Sequence, residues 1–176
     1  MGGFLVTKSV ENAYLSYGDP EAPVKVEVFL NLACPYCATI FEVADQTLTS
    51  YINNGQVQYV IKHYDKPREM LLNGTLVNLF FDYHNPKRIY EIMKELFTKQ
   101  SEWSESDSHS IKEMLTVEYG LKEEPETIDL SLKITAEAIK RQVKMVPTVF
   151  INDKEFQYPV EINAEQLQEE IEKILA

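Results

Sequence analysis

The stretch NLACPYCATIF carries the only thiols of the chain, Cys34 and Cys37, two residues apart. A pair at this spacing serves as a structural staple, as half of a metal site, or as a redox centre. The thiolate is both the metal ligand and the nucleophile of disulfide exchange, so the surroundings decide between these chemistries. Zinc or an iron cluster needs further ligands, usually a second Cys-x-x-Cys or paired histidines. The histidines here, His63, His84 and His109, are scattered along the chain. We therefore expect no metal and no cofactor, and read each histidine as an ordinary solvated or capping residue. The plain alternative to a redox centre is two small buried apolar side chains, a common state of free cysteine.

The elements around the pair favour redox chemistry. VKVEVFLNL (24–32) alternates and is rich in β-branched residues, which predicts a strand with Val24, Val26, Val28 and Leu30 on one face. After Cys34, Pro35 suits the first turn of a helix, and Ile40, Phe41, Ala44, Leu48 and Ile52 follow at helical spacing up to Asn53-Asn54-Gly55. QVQYVIKHY (56–64) reads as a second strand. Strand, helix and strand make a βαβ unit with parallel strands and a right-handed crossover. Cys34 then sits at a helix N-terminus, where unpaired N–H groups and the positive dipole end favour a thiolate. Cys37 falls on the next turn, within reach of a disulfide. These positions make Cys34 the acidic, exposed nucleophile and Cys37 the shielded resolving thiol.

From Lys66 to about Val143 the pattern is helical: REMLLNGTLVNLFFDYH, PKRIYEIMKELFTKQ, DSHSIKEMLTVEYG and ETIDLSLKITAEAIKRQV. Pro86 marks a helix start and Gly120 a helix end. SEWSESDSHS reads as a polar connection whose Ser or Asp caps the third helix. LFFDYH reads as core of this block. MVPTVFIND then predicts a strand, KEFQYPV its hairpin partner across Asn152-Asp153, and NAEQLQEEIEKILA a last amphipathic helix capped by Asn163. The stretch ahead of residue 24 reads as poor in strands.

Composition narrows the partners. The 176 residues are 44% hydrophobic, enough to fill the core of one domain, and the formal net charge of -11 opposes phosphate backbones and anionic lipid. Nucleic acid and membrane are therefore not expected as partners. MGGFLVTKSVENAYLSYGDP has no basic leader region, and no run approaches the roughly 20 apolar residues of a membrane span. The expected location is the cytoplasm, or outside it if MGG stands in place of a removed export signal.

CPYC after a strand, the long helical block, and MVPTVFIND with its hairpin and last helix together resemble the DsbA-like branch of the thioredoxin superfamily from about Tyr14 onward. A glutaredoxin also carries CPYC but is shorter and lacks the helical block. The resemblance implies an α/β protein, a thioredoxin fold with an inserted α-helical subdomain, divided as 1–64, 65–143 and 144–176. It implies a cis Val146–Pro147 bond facing the cysteines, with the preceding backbone pairing with a bound peptide like an added strand. Pro35, Tyr36, Val146 and Pro147 are the substrate-binding residues by this carry-over, and Cys34 and Cys37 the catalytic ones. The implied activity is thiol–disulfide exchange with protein thiols or disulfides, or with glutathione. A glutathione-linked reductase and a redox-sensing adaptor of the same fold remain as alternatives. Electron-flow direction, natural substrates and oligomeric state stay unassigned.

Two positions depart from the family pattern. Relatives often keep a buried carboxylate six positions before the first cysteine, where this chain has Val28, and Glu27 is sent to the opposite face by strand alternation. Met145 replaces a common glycine and is read either as a groove residue or as core.

Overall fold

The computed structural model describes residues 12–176. The chain runs β1 (Leu15–Tyr17), β2 (Val24–Leu30), α1 (Pro35–Asn53), β3 (Val57–His63), a 3-10 turn (Glu69–Leu71), then α2 (Leu72–Asn78), α3 (Pro86–Thr98), α4 (Gln100–Trp103), α5 (Ser108–Val117) and α6 (Thr127–Lys140). It closes with β4 (Thr148–Ile151), β5 (Lys154–Gln157) and α7 (Ala164–Leu175). The strands form one sheet in the order β1-β3-β2-β4-β5. β2 and β3 are parallel, in register from Val24 opposite Val57 to Leu30 opposite His63. All other pairings are antiparallel.

Alternation along β2 divides the interior in two. Val24, Val26, Val28 and Leu30 join the main core with α1, α7 and the helical block, while Phe29 packs with Tyr64, Phe150 and Ile134 and Ala138 of α6. The main core takes Phe80, Phe81 and Tyr83, as expected for LFFDYH. Each leucine or phenylalanine buried this way contributes about 1.5–3 kcal/mol of transfer free energy. α1 starts with Pro35 at its first turn, and α7 starts in a full capping box between Asn163 and Gln166. Asp107 caps α5 by accepting the Ser110 N–H at 2.9 Å. The β4–β5 turn runs through Asn152 at φ 50°, a left-handed conformation that asparagine tolerates.

Four expectations need correction. β1 precedes residue 24: its three residues pair with β3, too short a run for alternation to reveal. REMLLNGTLVNLFFDYH is not one helix: a 3-10 turn and the short α2 take up Glu69 to Asn78. SEWSESDSHS is not purely a polar connection, because α4 ends in Trp103, which is buried and donates its indole N–H to the Leu96 carbonyl at 2.9 Å. His63 is neither solvated nor capping but 3% exposed, since the register opposite Leu30 turns it into the main core's side of the sheet.

Candidate active site

Cys34 is the N-cap of α1, in extended conformation, and its Sγ accepts the Cys37 N–H at 3.3 Å. The Cys34 carbonyl accepts the N–H groups of Cys37 and Ala38 at 3.1 and 3.2 Å, which completes the first turn. A hydrogen bond from the Cys37 thiol holds the Cys34 thiol below its ordinary range against the opposing effect of burial, helped by the N–H groups of Cys37 and Tyr36. Cys37 moves the other way. Burial, and the negative charge it would share with Cys34, push it well up, although its Sγ accepts the Asn31 N–H at 3.4 Å. The two cysteines, neither of them in a disulfide, are thus displaced in opposite directions.

Cys34 is not an open thiol: it is 5% exposed, against 0% for Cys37. Its cover is the segment before β4. In the thiol form Cys34 donates to the Val146 carbonyl at 3.8 Å, and the Val146–Pro147 bond is cis. Val146 is half-buried and Pro147 buried, while Pro35 and Tyr36 stand exposed at the start of α1. Met145 is 41% exposed, which excludes the core reading. The fold therefore brings Cys34, Cys37 and Val146 together across 112 positions of chain.

The loop between β2 and Cys34 is held by groups that sequence reasoning missed. Asn31 is fully buried; its Oδ1 accepts the Ala33 N–H at 2.9 Å and its Nδ2 donates to the carbonyls of Tyr64 and Leu71 at 3.4 and 3.3 Å. Gly74 of α2 lies against it so closely that a Cβ would stand 1.8 Å from Asn31 Oδ1 and 2.7 Å from Ala33 N. The Leu32 peptide is gripped from both ends: its N–H donates to His63 Nε2 at 3.1 Å, and its carbonyl accepts Gln100 Nε2 at 2.7 Å. Gln100 also donates to the Cys34 carbonyl at 2.9 Å. Because His63 Nε2 accepts, the ring proton is assigned to Nδ1, which faces Asp65 Oδ1 at 2.8 Å. Asp65 also receives Asn78 Nδ2 at 2.9 Å and the Ser131 hydroxyl. Burial pushes the Asp65 carboxyl up, but the His63 ring and these donors outweigh it and hold it below the carboxylate range. His63 and Asp65 stand two apart at a strand end, a weak hint in the sequence. Nothing in the sequence marks Gln100, whose role depends on where α4 lands.

Glu27 lies in the opposite layer. Arg141 reaches it with Nη1 at 2.8 Å and Nη2 at 3.3 Å, Lys62 bonds both Glu27 and Glu137, and Arg141 stacks 3.8 Å over the Phe150 ring. The other histidines are peripheral: His84 Nε2 pairs with Glu126 at 3.0 Å, both about two-fifths exposed, and His109 is exposed.

A strand, a Cys-x-x-Cys helix start and a Val-Pro loop facing the first cysteine are the shared frame of thioredoxin-fold proteins. The family described as Thioredoxin matches residues 11–173, and the chain belongs to it. A conserved protein of unknown function from Enterococcus faecalis V583 is 30% identical, superposes with a TM-score of 0.84, and is covered over 91% of its length by 93% of this chain. alpha-DsbA1 of Wolbachia pipientis (17% identity, TM-score 0.69, 92% of this chain and 90% of that one) shares the fold. So does a protein-disulfide isomerase from Novosphingobium aromaticivorans (14% identity, TM-score 0.69, 94% and 99%). The fold is DsbA-like: a thioredoxin fold with an inserted α-helical subdomain. Among curated proteins, comparison finds no match. No helix of the described residues is long and apolar enough to cross a membrane.

Proposed function

We propose that the protein is a thiol–disulfide oxidoreductase that exchanges disulfides with protein or small-thiol substrates through Cys34 and Cys37. The observation that carries this reading is the placement of the two thiols: Cys34 caps the N-terminus of α1 with its Sγ accepting the Cys37 N–H and facing the Val146 carbonyl of the cis Val146–Pro147 loop, while Cys37 lies buried beneath it, an arrangement that lowers Cys34 and raises Cys37. Such a pair divides the labour of exchange. The Cys34 thiolate attacks a substrate disulfide, a mixed disulfide forms, and one substrate thiolate leaves. Cys37 then gives up its proton and attacks Cys34 Sγ, expelling the second substrate thiolate and closing Cys34–Cys37. The substrate gains two electrons and the pair loses them; the reverse sequence oxidises a dithiol.

Pro35, Tyr36, Val146 and Pro147 border the position a substrate sulfur must take, and the backbone at Val146 would hold an extended peptide by strand-like pairing. Residues 65–143 are the inserted helical unit that supplies Gln100 to the site loop. In the cytoplasm, the location expected from the sequence, glutathione would keep the pair as the dithiol and favour reduction of substrates.

The test is a non-reducing gel of acid-quenched cells that carry either cysteine variant. Cys37→Ala should accumulate mixed disulfides on Cys34, because the resolving thiol is gone, and Cys34→Ala should accumulate none. Bands from both variants, or from neither, would overturn the assignment. Purified protein should also catalyse insulin reduction; binding of a client by the double cysteine variant without turnover would favour an adaptor instead.

A further inference from the structure

A basic rim stands beside Cys34 in an acidic protein. The chain carries 28 acidic against 17 basic residues, yet Lys66, Arg68 and Lys144 gather where the segment after β3 meets the segment before β4. Lys66 Nζ donates to the Lys144 carbonyl, and its ammonium is lowered first by partial burial and then by the nearby charge of Arg68. Lys144 is two residues from Val146, whose carbonyl faces Cys34 Sγ. Arg68 leads into the 3-10 turn, whose Leu71 carbonyl is bonded to Asn31 under the site loop. Among the described residues none of the three cations forms an ion pair. Asp65 is turned inward to His63, so Glu69, exposed in the turn, is the one carboxylate of residues 65–70 that faces water.

Exposed apolar side chains occur on the same segments: Met70 lies two residues after Arg68, Met145 follows Lys144, and Tyr36 lies between the two cysteines. Tyr36 is 59%, Met70 61% and Met145 41% exposed. Flexible thioethers adapt to varied apolar partners, while fixed positive charge selects for sign.

We propose that this rim selects the substrate: an extended peptide of a client protein whose cysteine is flanked by aspartate or glutamate and by one apolar residue. The proposal rests on the exchange activity above. The peptide lies along Met145–Val146, its cysteine at Cys34, with its carboxylates toward Lys66, Arg68 and Lys144. Repulsion between such a segment and a molecule of net charge -11 is offset locally by the three cations of this rim, which favours approach from that side.

The probes are three peptides alike except for acidic, neutral or basic residues around one cysteine, each held as a mixed disulfide with thionitrobenzoate. The Cys34 thiolate attacks the peptide sulfur. The peptide–Cys34 bond forms and thionitrobenzoate, the more acidic leaving thiol, departs with the electron pair as a coloured thiolate. At low ionic strength the acidic peptide should react about tenfold faster than the basic one, and half-molar salt should remove most of that ratio. R68E/K144E, which leaves the Lys66 hydrogen bond in place, should invert it. Each ratio is taken on one protein, so changes in Cys34 reactivity cancel. Equal rates for the three peptides would overturn the rim proposal and leave the exchange activity standing; no reaction with any would overturn both. A glutathione–thionitrobenzoate disulfide that outpaces the acidic peptide would make the partner a small thiol and sink the peptide proposal.

Discussion

Two buried polar regions lie on opposite sides of the same sheet, and they are built from different materials. Behind α6, Glu27, Lys62, Glu137 and Arg141 form an ion network roofed by Phe29 and Phe150. Around the cysteines the buried groups are amides, a hydroxyl and a histidine–aspartate pair, arranged to satisfy backbone atoms of the site loop. The difference follows from what each region must tolerate. Ion pairs keep their charge state and hold two layers in one relative placement. A thiolate that appears and disappears is better served by N–H dipoles, which stabilise it without a fixed countercharge that would also bind it permanently. Removing a carboxylate in the first region should therefore cost stability alone, while removing a dipole in the second should alter stability and thiol chemistry together.

The largest effect is expected at Glu27. Its carboxyl is pushed up by burial, but the hydrogen bonds and charges of Arg141 and Lys62 outweigh this and hold it below the usual range. Its contribution to stability is present above the unfolded value of about 4.3 and is lost as pH falls through the lower folded value. Glu27→Ala leaves the buried Lys62 and the half-buried Arg141 sharing Glu137, and should lower the urea-derived stability by about 3 kcal/mol with the Cys34 alkylation rate unchanged. A loss under about 1 kcal/mol, or a slower Cys34, would break the contrast between the two regions.

Gln100 sharpens the contrast from the other side. Gln100→Leu keeps the volume but leaves the Leu32 and Cys34 carbonyls without their donor, a cost of about 1–3 kcal/mol. The bared Cys34 carbonyl also places negative density near the thiolate, so Cys34 should titrate at higher pH and the dithiol–disulfide potential should become less oxidising. Alkylation against pH measures the first and equilibration in glutathione buffers the second. A stability loss with both readouts unmoved would make Gln100 a structural residue only.

A loss of the same order is expected at Gly74, where the added methyl of Gly74→Ala meets Asn31 Oδ1 and Ala33 N. Overpacking of this kind costs about 1–3 kcal/mol. The strain falls on the site loop, so alkylation of Cys34 should become less uniform in rate; unchanged urea midpoints would show that α2 yields without effort.

How far the sequence disclosed these regions depends on the range of the interactions. The βαβ unit, the Cys-x-x-Cys helix start, the hairpin at Asn152-Asp153 and the Asn163 cap are local patterns, written in period and capping chemistry over a few residues, and all four were readable. So was the displacement of Glu27 to the far face, because strand alternation settles it. Its partners were not, since Arg141 lies 114 residues away. The same limit hid His63, read as solvated, and Gln100, whose bonds to Leu32 and Cys34 span 68 and 66 positions. β1 escaped because three residues carry too little pattern, and Trp103 because a polar run surrounds it. The placement of both cysteines at the helix start was legible, and the groups that hold their loop were not.

The smallest expected effect is a pH dependence of stability with two limbs, one for each cysteine. Unfolded, both thiols titrate near 8.5. Folded, Cys34 gives up its proton below that value, so between its folded pKa and about 8.5 the unfolded state binds more protons and stability rises with pH. That contribution is complete above about 8.5 and is lost as pH falls through the folded value. Cys37 behaves in the opposite sense. Its raised pKa lets the folded state keep a proton that the unfolded state has lost, so above about 8.5 stability falls with pH. Urea midpoints measured under reductant from about pH 6 to 9.5 should therefore rise and then fall. The upper bound avoids the buried Tyr59 and Tyr83 and the half-buried Tyr17 and Tyr90, whose raised pKa values add their own falling limb once unfolded tyrosine titrates. Cys34→Ala should remove the rising limb and keep the falling one, which burial of Cys37 sets first; Cys37→Ala should remove the falling limb and, with the thiol that donates to Cys34 gone, weaken the rising one too. If both variants flatten the profile equally, the thiols titrate as one unit, and the division of labour on which the exchange mechanism depends is lost.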